Sequence, residues 1–420
     1  MYQKTTLDNG LRIIDVPMPH TRSVSICIFV GLGSRYEIDA EAGISHFVEH
    51  LLFRGTQKRP ESRIISEAIE GVGGILNGGT DKELTLYWCK VTQPHFSMAL
   101  DVLSDILLNS KFAAPDIEKE RQIIIEEINM SNDSPAQVSE MLIDKLMWPG
   151  HPLGRDIAGS KETVSSITRD TITTYWQRQY RPENTVISIA GNIPHKEIVD
   201  AVSQNLGSWT NLSEPSGYQS YREKTHPRLH VETKDTEQVH LCMGLPGLPL
   251  FHPERFTLNL INIILGVGMG SRLFNEVRDK KGLAYSIHSY VDYFLDTGAV
   301  TITAGVDARN LHAVTNAIIE QLELLHELVP DSELSKAKEM AKGHLLLRLE
   351  DSRSAASWLG GQEVLSGHIL NIDQVVSAIN AVTTGDIQCL AKELLAESKF
   401  HLAVVGPVTA DKELEELLKI

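Results

Sequence analysis

The chain has 420 residues, of which 42% are hydrophobic and 22% charged, and its net charge is −16. That length exceeds one ordinary core and implies two or more domains, in a composition typical of soluble globular proteins. The acidic balance argues against nucleic acid or anionic membrane as a partner, and no apolar run approaches the roughly 18 residues of a membrane span.

Met1-Tyr2-Gln3-Lys4 lacks the pattern of a signal peptide and leads into a strand with an Asp8-Asn9-Gly10 hairpin turn. The 4 cysteines, Cys27, Cys89, Cys242 and Cys389, show no C-x-x-C spacing, so free buried thiols in a reducing, cytoplasmic setting are expected. Residues 23–30 read as a strand with much of both faces apolar. Then comes His46-Phe47-Val48-Glu49-His50. Apolar Ile44, Phe47, Val48, Leu51 and Leu52 surround the polar triplet, and Gly55 is a plausible stop, which gives a helix. Two histidines one turn apart share a face, where they can grip one metal ion, with the Glu49 carboxylate beside them. H-x-x-E-H is the mirror order of the H-E-x-x-H zinc helix and a metallopeptidase signature in its own right. The blander reading is two surface histidines on an amphipathic helix, so a third ligand has to decide.

Further along, residues 61–70 form a helix ended by Gly71, residues 84–91 a strand, and Pro94 opens a helix to about Asn109. Pro115 starts a long helix on which Glu120 and Glu127 lie two turns apart beside the stripe Ile123, Ile124 and Ile128. Carboxylates turned toward a core need a partner, and a metal supplies one. A helix over 134–146, the loop His151-Pro152-Leu153-Gly154, a strand over 185–191 and a helix over 196–206 complete the first half. Residues 208–228, polar and aperiodic, read as a linker.

Beyond the linker the pattern recurs. Asp133-Ser134 is echoed by Asp351-Ser352, Asp170 by Asp386, and the strand ending at Gly191 by one ending at Gly406. These shifts of about 215 to 218 residues argue duplication of a unit of about 210 residues. At the same shift Glu120 and Glu127 fall on Lys338 and Leu345, so the second copy lacks the metal set. The domains are therefore placed at 1–210 (metal-bearing), 211–228 (linker) and 229–420 (degenerate repeat). Gly266-Val267-Gly268-Met269-Gly270-Ser271 lacks the ending of a P-loop and reads as a flexible turn, while His95, His240 and His288 have no ligand spacing.

The H-x-x-E-H helix with Glu120 and Glu127 resembles the pitrilysin or insulinase-type zinc peptidases, in the branch of mitochondrial processing peptidase (its beta subunit) and bacterial homologues. Gly31-Leu32-Gly33-Ser34-Arg35-Tyr36-Glu37 before it, the run from Gly73 to Thr80 with Glu83 to Tyr87, and Tyr180-Arg181-Pro182-Glu183-Asn184 extend the likeness over nearly the whole chain. The resemblance implies an α+β fold of two homologous domains, each a curved, mostly antiparallel sheet with helices packed on one face. It implies one zinc per chain on His46, His50 and Glu127, with Glu49 as general base and Glu120 behind the ligands. An edge strand with Leu76, Asn77, Gly78, Gly79, Thr80 and Glu83 is expected to take an extended peptide, although the family usually has Ala where this chain has Gly78, and a Gly there is expected to loosen the edge. Arg278 and Tyr285 match the family's arginine–tyrosine pair; on residues alone they read as a charge run before a core tyrosine. The implied activity is a zinc endopeptidase cutting short unfolded peptides in the chamber of a homodimer. The alternatives are a non-catalytic partner subunit of the same fold, or the metal-bearing chain of a heteromeric processing peptidase.

Overall fold

The computed structural model describes residues 2–211, 214, 217–222, 228–395, 400–410 and 412–418. Its strands build two sheets of one design. The first contains β1 (Gln3–Thr6), β2 (Arg12–Pro17), β3 (Ser23–Val30), β4 (Ile75–Thr80), β5 (Thr85–Thr92) and β6 (Thr185–Gly191), in the order β1-β2-β6-β3-β5-β4. The second contains β7 (Leu229–Thr233), β8 (Val239–Pro246), β9 (Ala284–Tyr293), β10 (Gly298–Val306) and β11 (His401–Gly406), in the order β7-β11-β8-β10-β9. In each, one parallel pair (β2 with β6, β7 with β11) sits in an otherwise antiparallel sheet. Without β1 the two orders correspond strand for strand, the topological imprint of the duplication. This is the α+β architecture the sequence implied.

Alternation along the strands assigns the faces. Val24, Ile26, Ile28 and Val30 of β3 join Ile187 and Ile189 of β6 in one core with the helices Ile44–Leu52, Ser62–Glu70 and Phe96–Asn109. The opposite face of the same strands, Cys27, Phe29, Val186 and Ala190, packs on Ala355, Ala356 and Leu359 of the helix Ser352–Ser366. The second sheet repeats this. Leu241, Met243, Leu402 and Val404 face its main helical core, whereas Cys242, Ala403 and Val405 pack on Val138, Leu142 and Ile143 of the helix Pro135–Met147.

The helix on the second face of each sheet therefore comes from the other half of the chain. Of the two compact units, one comprises residues 1–128, 156–219 and 346–371, the other 129–155, 220–345 and 372–420. These differ from the contiguous 1–210 and 229–420 drawn from the sequence, because the two copies of one helix are exchanged. Close contact fixes the first exchange: a Cβ on Gly360 would lie 2.4 Å from Phe29 Cε2. Buried Glu363 adds charge, at 2.7 Å from Lys4 Nζ and 3.2 Å from an Arg12 nitrogen.

The linker expected at 211–228 lies partly outside the described residues, at 212–213, 215–216 and 223–227. Its described part is anchored in the first unit: the Arg35 guanidinium stacks 4.2 Å from the Tyr218 ring and donates to the Gln219 carbonyl at 3.1 Å. Cys27, Cys89 and Cys242 are free and buried as expected, but Cys389 is exposed, on the outer side of its helix. Among the described residues no helix is long and apolar enough to cross a membrane.

Candidate metal centre

The helix Ile44–Leu52 buries Ile44, Phe47, Val48, Leu51 and Leu52 and leaves His46 and His50 together on the half-buried face. Its start is set by the preceding turn. Gly43 takes a left-handed φ of 96°, and the buried Glu37 carboxylate accepts from the backbone N–H of Gly43 at 2.9 Å and Ser45 at 2.8 Å. A carboxylate there satisfies otherwise unpaired donors and complements the positive end of the helix. The Gly31–Glu37 motif is thus the seat of the metal helix. Arg35 in the same motif is fully buried and ion-paired to Glu83, so Glu83 braces the β4–β5 turn and is 5% exposed. Its placement among substrate-contacting residues is not what the geometry favours.

Three atoms from two helices converge. His46 Nε2 and His50 Nε2 are 3.1 Å apart, and Glu127 Oε2 lies 3.8 Å from the first and 3.7 Å from the second. Ligand atoms about 2.0–2.2 Å from a tetrahedral zinc stand roughly 3.3 Å apart. The triangle therefore fits one ion. Two imidazole nitrogens facing each other this closely also call for a cation or proton between them. Glu49 offers a carboxylate oxygen within 4.8 Å of both rings and is the competing third ligand. Glu127 is the better one, because its oxygen is nearly equidistant from the two Nε2 atoms, while the Glu49 carboxylate rests against β4. Among the described residues no such group of three is gathered at any place away from these two histidines.

The surroundings separate the roles. Burial raises the Glu49 carboxyl to about 7; the charge of His50 opposes this and that of Glu127 adds to it. A carboxyl tuned to neutrality can both accept and return a proton. Burial, with the neighbouring His50, pushes His46 down to about 4, which keeps it neutral and able to donate a lone pair. Burial also works against charge on His50, but the hydrogen bond to Glu120 and the charges of Glu49, Glu127 and Glu120 outweigh it and raise its pKa. Glu120 Oε2 meets His50 Nδ1 at 3.1 Å, the place of a group that orients a ligand from behind. His46 Nδ1 is buried without a hydrogen-bond partner.

β4 is the open edge of its sheet. Leu76, Gly78 and Thr80 are half-buried, while Ile75, Asn77 and Gly79 are exposed, and Gly78 pairs with Tyr87 of β5. A Cβ on Gly78 would come 2.6 Å from Glu49 Oε1 and 2.9 Å from Phe53 Cε2. Glycine here thus makes room for the Glu49 carboxylate, a role distinct from the loosened edge expected of it. Gly78→Ala is predicted to fold but to displace the Glu49 carboxylate; a crystal structure of the variant checks this, and an unmoved carboxylate contradicts it.

Residues that sequence reasoning missed support the same site. Arg54 is ion-paired to the second oxygen of Glu120, and its position four after His50 was the available signal. Tyr87 and Tyr180, both fully buried, share a 2.7 Å hydrogen bond behind β4, which gives the Tyr180 motif its purpose. Arg278 and Tyr285 lie in the second unit. Arg278 belongs to a π-helical segment, Phe274–Lys280, with its guanidinium 4.8 Å from the Phe274 ring and 5.8 Å from that of Tyr285. Tyr285 is 75% exposed, so it is no core residue. A π-helical stretch is rare and frequents functional sites. In the Gly266–Ser271 turn, Gly268 is left-handed with φ 80° and Met269 is exposed.

Two helices, one carrying H-x-x-E-H and the other its distant glutamate, define a metallopeptidase-type centre. The chain belongs to the insulinase family, peptidase family M16: that family matches residues 12–161, and the M16 inactive domain matches residues 166–341. It is 37% identical over 412 residues to the uncharacterized zinc protease YmxG of Bacillus subtilis, covering 97% of this chain and 98% of the relative. An uncharacterized zinc protease of Mycobacterium leprae is 36% identical, covering 99% and 94%. The crystal structure of a protease from Helicobacter pylori has the same fold, with a TM-score of 0.91 at 22% identity over 97% of this chain and 99% of that one.

Proposed function

We propose that this chain is a zinc-dependent endopeptidase. The observation that carries the reading is the convergence of His46 Nε2, His50 Nε2 and Glu127 Oε2 beside the buried Glu49 carboxyl. Zinc held there supplies Lewis acidity, polarising a scissile carbonyl and lowering the pKa of water. Glu49 takes the proton from the attacking water and passes it to the leaving amine. Glu120 holds the His50 ring through Nδ1. The open edge of β4 takes an extended peptide through main-chain hydrogen bonds, which tolerate varied sequences. The match of the second half to an inactive domain fits a division of labour in which that half supplies no metal ligand.

The working form in this reading is a homodimer whose chamber admits short unfolded peptides. Arg278 of one subunit orients substrate backbone there, and the Tyr285 hydroxyl donates to the developing oxyanion of the other subunit's site. A mixed peptide library incubated with purified protein tests the activity. Cleavage that stops on chelation and returns with zinc is expected, and a chelator-insensitive or absent activity rejects the reading. Sedimentation tests the assembly, and a monomer with full activity at nanomolar concentration rejects the shared site.

A further inference from the structure

Glu120 lies on the helix Ala114–Asp133 with 1% of its side chain exposed. A carboxylate buried to that degree is tolerated only when both oxygens meet donors or positive charge. Oε2 meets His50 Nδ1 at 3.1 Å. Oε1 is ion-paired to the guanidinium of Arg54, just beyond the end of the metal helix. His50 lies on the last turn of that helix and Arg54 in the turn that follows it, and the two side chains meet one carboxylate from opposite oxygens. The Arg54 side chain is 26% exposed, so most of it is covered by the protein.

We propose that Arg54 is a positioning residue of the metal centre, and the proposal rests on the zinc-site reading above. By neutralising Glu120 it lets that carboxylate stay buried and in line with His50 Nδ1. That fixes the proton on Nδ1 and aims the Nε2 lone pair at the ion, in the way partners behind a ligand tune metal affinity. Without Arg54 the uncompensated carboxylate turns toward solvent and releases the His50 ring to other rotamers. Arg54 touches neither ion nor substrate; it acts through Glu120.

Zinc affinity by competition with a chromophoric chelator tests this on the full chain, with melting temperature recorded in parallel. Arg54→Met is expected to weaken zinc binding roughly 10- to 100-fold. Arg54→Lys, which keeps the charge, is expected to restore most of the loss. In a Glu120→Gln background there is no charge to neutralise, so adding Arg54→Met costs nothing further. An Arg54→Met affinity within about threefold of wild type overturns the inference whatever its melting temperature, since a purely structural pair would move only the latter. A further loss of zinc in the Glu120→Gln background overturns it as well, and that comparison decides the matter should Arg54→Met alone fail to fold. Wild-type protein that takes up no zinc overturns the peptidase reading and this inference with it. Normal wild-type binding with an unaffected Arg54→Met overturns the inference alone.

Discussion

Glu49→Gln is expected to keep one zinc per chain and to lose turnover by roughly 10²- to 10⁴-fold, the usual worth of a positioned general base. The reason lies in what the substitution leaves alone. Gln has the same shape, so it still fits against Gly78 and Phe53, where a Cβ on residue 78 would come within 2.6 Å of the present Oε1. The proposed ligand atoms, on His46, His50 and Glu127, are untouched. Only the capacity to take up a proton disappears, from a group that burial has tuned to about 7. Substrate affinity should change little, because a peptide on the β4 edge is held by main-chain bonds. Steady-state kinetics with metal analysis of the same sample checks this. Full-rate cleavage by the variant removes Glu49 from the mechanism, and loss of the zinc along with the activity makes it a ligand instead of a base.

The second large effect concerns the exchanged helix, where two adjacent glycines should respond with opposite sign. A Cβ on Gly360 would lie 2.4 Å from Phe29 Cε2 and 2.8 Å from Ser188 Cβ, whereas one on Gly361 meets nothing within 4 Å. Gly360→Ala therefore forces the helix Ser352–Ser366 off β3 and β6, and overpacking of this kind costs about 1–3 kcal/mol. Gly361→Ala gains helix propensity and should stabilise by about 0.5–1 kcal/mol. Urea midpoints of the two variants measure the difference. Equal midpoints would mean that this helix does not dock on the first sheet.

That exchange marks where the sequence stopped being informative. The recurrence of Asp133-Ser134 at Asp351-Ser352 revealed that a helix had been duplicated, and its period located both copies. Nothing in a period says which sheet a helix covers. That choice depends on a fit between Gly360 and Phe29, remote in sequence, and helices with small-residue faces look alike until the partner is known. The grouping of the candidate site residues was legible for the converse reason. His46, Glu49 and His50 are held in register by a single helix, and Glu120 and Glu127 by another, so spacing alone placed them on common faces.

Other readings failed through pairings across the fold. Glu83 was grouped with the residues expected to take an extended peptide, yet it is turned inward to Arg35, a residue from the turn before the metal helix. Gly78 read as a residue that loosens the edge, but the atom it makes room for belongs to Glu49 on a different element. Cys389 read as buried by analogy with Cys27, Cys89 and Cys242; these lie on strands covered on both faces, whereas it lies on an amphipathic helix with one face in solvent.

An anomalous difference map at the zinc edge, from crystals of the zinc-loaded protein, shows where the ion sits and what binds it. One peak per chain is expected, within about 2.0–2.2 Å of His46 Nε2, His50 Nε2 and a Glu127 oxygen, with Glu49 outside bonding distance. A peak elsewhere, or one bonded to Glu49 with Glu127 turned away, contradicts it.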